Sequence, residues 1–126
     1  MIDILVVDDS RLARKRTIEL ISKLDIEHNI IAEAQDGVQA LEKFSELKPN
    51  LIITDIEMPN MDGIQLVKEI RKIDKKIDII VISSIANEQI KQELKSEHSA
   101  NFIKKPINDK TIKMLLIKLE NELSLK

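Results

Sequence analysis

Five times along this chain, a short β-branched apolar run gives way to a longer stretch with helical periodicity. The runs are Ile2–Val7 (IDILVV), Asn29–Ala34 (NIIAEA), Leu51–Thr54, Ile77–Ile82 (IDIIVI) and Ala100–Lys104. Between and after them, apolar residues recur at helical spacing over Arg11–Leu24, Val38–Leu47, Ile64–Ile73, Asn87–Lys95 and Asn108–Leu123. The punctuation fits. Ser10 and Asp62 stand where N-caps belong, Gly63 eases entry to the third helix, Asp36-Gly37 turns the second strand into its helix, and Pro49-Asn50 breaks before the third strand. Parallel strands need crossovers of about a dozen residues, and those crossovers are right-handed. Five strand–helix units in 126 residues therefore predict an α/β fold: a doubly wound, five-stranded parallel sheet with helices on both faces. Residues 1–126 are expected to form one domain.

In an open parallel sheet, ligands bind outside the carboxyl ends of the strands. The first strand ends on Asp8-Asp9, the third on Asp55, the fourth on Ser83-Ser84 and the fifth on Lys105-Pro106. Each has an ordinary reading taken singly: a strand-end cap, a loop cap, a strand terminator, a solvated lysine before a turn proline. Their convergence on one edge of an aliphatic sheet does not. Three neighbouring carboxylates repel and raise one another's proton affinity unless a cation sits among them. With no cysteine and no paired histidine, hard oxygen ligands favour Mg²⁺, with Mn²⁺ as a substitute. A serine hydroxyl and a lysine ammonium add a donor and a positive charge for an oxyanion, so the set describes a phosphoryl-transfer site.

Composition narrows the alternatives. Two Phe and no Trp or Tyr leave little to stack on nucleobases, and 20 basic against 22 acidic residues give a net charge of -2. No direct nucleic-acid binding is expected. No basic leader precedes an apolar run and no stretch reaches membrane-spanning length, so a cytoplasmic location without membrane insertion is expected. His28 and His98 lie in or beside turns and are expected to be exposed, without metal-ligand spacing.

The motifs VVDDS (6–10), DIEMPNMDG (55–63), Ser83 closing the fourth strand and FIKKP (102–106), in that order, resemble those of response-regulator receiver domains of the standalone, chemotaxis-like type. The resemblance covers essentially the whole chain and implies the flavodoxin-like strand order 2-1-3-4-5. Residue by residue, it implies that Asp55 accepts a phosphoryl group from a kinase phosphohistidine. Asp9, with Asp8 partly through water, corresponds to the metal-binding acidic pair, with Asp55 and the backbone carbonyl of Glu57 completing the ligands. Ser83 corresponds to the hydroxyl residue that moves to the phosphoryl oxygen, Lys105 to the lysine paired with Asp55, and Phe102 to the aromatic switch residue. The bond preceding Pro106 is implied to be cis. Lys105 is preferred to Lys104 because it directly precedes Pro106 and because strand alternation sends the two in different directions.

Departures from the family pattern are Ser83-Ser84 where Thr-Ala is common, His98-Ser99 where Gly-Ala is frequent before the fifth strand, and Ile107 in place of Phe after Pro106. The resemblance further implies a sensor histidine kinase or phosphotransfer protein upstream. Downstream it implies a protein target such as a flagellar motor switch or scaffold, with the chain a monomer or a weak phosphorylation-dependent dimer. Lys91, Lys95, Lys110, Lys113 and Lys118 on the last two helices, and five basic residues over Arg11–Leu24, are solvated faces or contacts for an acidic partner. Three other readings stay open: a receiver module of a longer DNA-binding regulator, an Mg²⁺-dependent aspartyl phosphatase, and a flavodoxin-like carrier.

Overall fold

The alternation resolves into ten elements in a computed structural model that describes residues 1–85 and 87–125. They are β1 (Ile2–Val7), α1 (Arg11–Ser22), β2 (His28–Ala34), α2 (Gly37–Leu47), β3 (Leu51–Asp55), α3 (Gly63–Ile73), β4 (Asp78–Ser83), α4 (Glu88–His98), β5 (Asn101–Lys104) and α5 (Asp109–Ser124). The strands form one parallel sheet in the order β2-β1-β3-β4-β5. Chain order reverses at β1, so the crevice between β1 and β3 is the switch point.

Strand alternation divides the core in two. Leu5, Val7, Ile52, Ile79 and Val81 face α2, α3 and α4 and pack with Phe44, Leu66, Val67, Ile70 and Leu94. Ile4, Val6, Ile53, Ile80 and Ile82 face the other way, onto Ile21 of α1 and Ile112, Leu116 and Leu119 of α5. Both faces are covered, so the central strands read as continuous apolar runs. Each fully buried Ile or Leu contributes about 1.5–3 kcal/mol of transfer free energy.

All five helices carry a side-chain N-cap. Ser10, Asp36, Asp62, Asn87 and Asn108 accept backbone N–H bonds from Ala13, Gln39, Gln65, Ile90 and Lys110. Such a cap is worth about 1 kcal/mol. Because every helix returns antiparallel to the strands, these N-termini open on the edge where the strands end, adding positive partial charge there.

Helix ends differ from the sequence reading by more than one residue in two places. α1 stops at Ser22, two residues short of the expected Leu24, and α4 runs on to His98 rather than ending at Lys95. Ser99 stops α4 in the left-handed conformation (φ 52), its N–H donating to Leu94 O, at a position that glycine usually fills. Ser99→Gly is therefore expected to stabilise the fold by about 1 kcal/mol, measurable as a higher urea midpoint with unchanged slope. Arg71 of α3 secures the same corner: its Nε donates to His98 O at 2.6 Å and its Nη1 to Asp74 O at 3.2 Å.

Candidate functional site

Register sets the acidic cluster. β1 and β3 pair with Val7 opposite Thr54, so Asp8 and Asp55, the next residues on each strand, emerge side by side at the switch point. Asp8 Oδ1 accepts from Ser10 N at 2.9 Å, and Asp55 Oδ1 accepts from Ile56 N at 2.9 Å. Their other oxygens turn toward Lys105, whose Nζ lies 3.7 Å from Asp8 Oδ2 and 3.6 Å from Asp55 Oδ2. Asp8, Asp9 and Asp55 each present a carboxylate oxygen within 4.8 Å of the others. Asp9 is exposed, whereas the Asp8 and Asp55 side chains are only 11% and 12% accessible, so the cluster has a dry inner pair and a wet outer member.

Burial is the first cause of the raised proton affinity of both inner acids. Asp8 sits above the usual carboxylate pKa through desolvation, with the Ser10 N–H and Lys105 opposing and Asp55 adding repulsion. Asp55 is likewise raised by desolvation, partly offset by Lys105 and the Ile56 N–H. Mutual repulsion, the cause argued from sequence, is a secondary contribution. One lysine serving two buried carboxylates leaves the site short of positive charge. All-oxygen donors with no thiolate or imidazole among them suit a hard divalent cation, so the residues present fit Mg²⁺.

Lys105 approaches the acids while Lys104, one residue earlier, is exposed. The Lys105–Pro106 peptide bond is cis. Ser83 is buried at the end of β4; its Oγ accepts from Ile85 N at 3.1 Å, which leaves the hydroxyl proton free to donate, and its carbonyl accepts from Lys105 N at 2.8 Å. Phe102, opposite Val81 in the β4–β5 pairing, is partly buried against the α2–α3–α4 core face. Glu57 is exposed on the loop two residues beyond Asp55.

That loop is held from outside. Gly63 N donates to Ile56 O at 2.8 Å, Gly37 N donates to Met61 O at 3.1 Å, and Asn60, at φ 67, donates through Nδ2 to Asp36 Oδ2 at 2.9 Å. A Cβ on Gly63 would run into the Asp55 carbonyl and come within 2.9 Å of Ile56 Cα, so glycine is required there by close approach. Asp36 does two jobs, capping α2 and gripping the loop, and these bonds, Gln39 N–H first and Asn60 second, hold its pKa below the usual value. Sequence reasoning saw only a turn at Asp36 and nothing in Asn60. It also passed over Arg14, whose Nη1 donates to Asp8 O at 2.7 Å while its Nε pairs with Glu33 at 2.9 Å, tying α1 and β2 to the acidic pair. Contacts between residues this far apart in sequence leave no local pattern.

The histidines depart from expectation. His28 is half-buried with Nδ1 2.8 Å from Ile26 O. His98 is also half-buried; its Nε2 has no hydrogen-bond partner among the described residues and lies 3.9 Å from Glu93 Oε1. Helical geometry brings Glu93, Glu97 and His98 within 4.8 Å of one another, a grouping that spacing had not suggested, but Lys68 Nζ already stands 3.4 Å from the same Glu93 oxygen.

An open doubly wound sheet with acids at its switch point and a lysine just beyond its last strand defines a class of phosphoryl-accepting α/β domains. Residues 4–117 match the response regulator receiver domain family, and the chain belongs to it. It is 39% identical over 103 residues to the chemotaxis protein CheY of Thermotoga maritima, covering 82% of this chain and 84% of that one. It is 35% identical to a protein-glutamate methylesterase/protein-glutamine glutaminase of Syntrophomonas wolfei, across 93% of this chain but 33% of that protein. The crystal structure of the CheX–CheY–BeF3–Mg²⁺ complex from Borrelia burgdorferi superposes with a TM-score of 0.82 at 29% identity, over 99% of this chain and 90% of that one. The protein is a receiver domain like those of CheY-type response regulators, a phospho-accepting signalling switch. Among the described residues no helix is long and apolar enough to cross a membrane.

Proposed function

We propose that Asp55 is the phosphoryl acceptor, and that Asp8, Asp9, Asp55 and the backbone carbonyl of Glu57 hold the divalent cation. The convergence of three carboxylates and Lys105 at the β1–β3 switch point carries this reading. A carboxylate oxygen of Asp55 attacks the phosphorus of a phosphohistidine, the N–P bond breaks, and its electron pair returns to the imidazole. The product is an aspartyl acyl phosphate. Mg²⁺ held by the acids, or Mn²⁺ in its place, supplies neutralisation of the phosphoryl oxygens. Lys105 Nζ, already facing Asp55, follows the charge onto the phosphoryl group. Positioning is the larger part of the protein's contribution, because the donor is already activated.

The new phosphoryl group adds about one to two negative charges at a site with few free donors. Ser83 donates its hydroxyl proton to it, and Phe102 turns inward as Ser83 moves, biasing the β4–α4 loop, α4 and β5 toward a second arrangement. The donor is a sensor histidine kinase or a phosphotransfer protein, and the receiver of the signal is a protein such as CheX, a motor switch or a scaffold. The 33% coverage of the methylesterase supports a second setting, in which the same module controls a longer regulator.

Incubation with acetyl phosphate and Mg²⁺ is expected to add one phosphoryl group by intact mass. Turnover of phosphomonoesters, or no mass gain, would count against the reading. Glu57→Ala is expected to change the rate of aspartyl-phosphate hydrolysis about tenfold while leaving uptake from a small donor within about twofold, because Glu57 is exposed on the loop two residues beyond Asp55, where it would meet an attacking water rather than the acceptor. Equal effects on both rates would refute that assignment.

A further inference from the structure

The three acids of the cluster are not held alike. Asp8 Oδ1 accepts from Ser10 N and Asp55 Oδ1 from Ile56 N, each at 2.9 Å. Asp9 is exposed, and its carboxylate takes no hydrogen bond and forms no ion pair among the described residues. Its place within 4.8 Å of the other two is therefore set by the main chain that carries it.

That main chain is gripped by Arg14. Its Nη1 donates at 2.7 Å to the Asp8 carbonyl, which belongs to the peptide joining Asp8 to Asp9. Its Nε donates to Glu33 Oε1 at 2.9 Å, and the side chain is only 14% accessible. Because a guanidinium is planar, bonds from two of its nitrogens fix its orientation as well as its position, and both bonds are strengthened by its charge. β2 supplies the brace. Glu33 and Ala34 lie opposite Val6 and Val7 of β1, and Ala34 O accepts the Asp8 N–H at 3.0 Å. Asp8 is thus held at its amide by β2 directly and at its carbonyl by β2 through Arg14.

Arg14 forms no ion pair with Asp8 or Asp9; its charge is answered by Glu33. It leaves both carboxylates to a cation. A positive charge beside a cation site opposes the ion by Coulomb repulsion, so Arg14 can favour binding only through geometry.

We propose that Arg14, braced by Glu33, is a positioning residue for the divalent cation: it holds the Asp8–Asp9 peptide so that the Asp9 carboxylate reaches the ion, and it touches neither the ion nor the phosphoryl group. The proposal rests on the assignment of these acids as metal ligands. Glu33 acts only through Arg14.

Mg²⁺ titration of the metal-free protein, followed by the backbone amide shifts of Asp9 and Ile56, measures affinity without phosphorylation. Arg14→Gln is expected to weaken Mg²⁺ about tenfold, as loss of a group that orients metal ligands commonly does. Arg14→Lys, which keeps the charge but not the two-directional grip, is expected to weaken it about threefold. Glu33→Ala, at an exposed position that leaves the guanidinium in place, is expected to weaken it about threefold, and the double variant Arg14→Gln/Glu33→Ala to match Arg14→Gln alone. Acetyl-phosphate uptake in Arg14→Gln should need more Mg²⁺ yet come within about twofold of the unmutated rate at saturation. Unchanged or tighter Mg²⁺ binding in Arg14→Gln overturns the proposal, tighter binding being what removal of a charge alone would give. A rate still depressed at saturating Mg²⁺ with affinity unaltered also overturns it. Additive losses in the double variant overturn the bracing role of Glu33. An unmutated protein whose Asp9 amide shows no saturable Mg²⁺ shift refutes the ligand assignment and this proposal together, whereas a normal shift there with Arg14→Gln unaffected refutes the proposal alone.

Discussion

Asp55→Asn is expected to abolish the one-phosphoryl mass gain completely and, in the same protein, to raise the melting temperature of the metal-free form. Loss of phosphorylation follows because an amide cannot form the acyl phosphate. Stabilisation follows from burial: Asp55 is held above its usual pKa by desolvation, so its charged form is disfavoured in the fold. Asn retains an oxygen to accept from Ile56 N and leaves Lys105 to Asp8 alone. A gain of about 1 kcal/mol, or a few degrees in a domain of this size, is expected.

The effect depends on pH with a definite sign. A carboxyl whose folded pKa is raised binds more protons native than unfolded between 3.8 and the raised value. Its contribution is fully present below 3.8 and is lost as pH rises through that window. The difference in melting temperature between Asp55→Asn and the unmutated protein should therefore widen as pH rises, then level off. Asp36, with a lowered pKa, acts oppositely: its contribution is present above the unfolded pKa and lost as pH falls through the folded one. It is common to both proteins and cancels in the comparison. Mg²⁺ should raise the melting temperature of the unmutated protein and do so far less in Asp55→Asn. A variant less stable than its parent at neutral pH without metal would contradict the burial argument.

Gly63→Ala is expected to destabilise the fold more than any other single methyl added near the site. The atoms in its way are the Asp55 carbonyl and Ile56 Cα, both backbone, so no flexible side chain moves aside. Either the end of β3 or the start of α3 must shift, and the Gly63 N to Ile56 O bond goes with it. A loss on the order of 3 kcal/mol is expected by urea unfolding. Displacing the carboxylate of Asp55, the proposed acceptor, relative to Lys105 should also slow acetyl-phosphate uptake about tenfold or more. A fully active Gly63→Ala of normal stability would mean that the loop tolerates a geometry different from the one described.

How much of this was legible in the sequence depended on whether the signal was local. Alternating periods placed every strand and helix, because burial on two faces writes itself into residues two, three or four apart. Strand ends placed Asp8, Asp55, Ser83 and Lys105 on one edge, since a parallel sheet has only one such edge. What stayed hidden was cooperative across the chain. The Asn60–Asp36 bond joins residues 24 apart in sequence and the Arg14–Glu33 bond residues 19 apart. The end of α4 was missed for a different reason: it stops at a serine in a conformation usually marked by glycine, so the usual stop signal was absent. His98 was expected to be exposed because it lies beside a turn, yet it is half-buried, with Arg71 bonded to its carbonyl and Glu93 3.9 Å from its ring.

The Arg71 clamp has a mechanical consequence. Its guanidinium fixes the carbonyl of His98, the last residue of α4, to the α3–β4 turn, while the opposite end of α4, at Glu88, follows the loop that leaves Ser83. A helix pinned at one end moves as a lever. A displacement that left the clamp intact would be smallest near His98 and grow toward Glu88, so the rearrangement proposed to start at Ser83 would swing the near end of α4 through the largest arc.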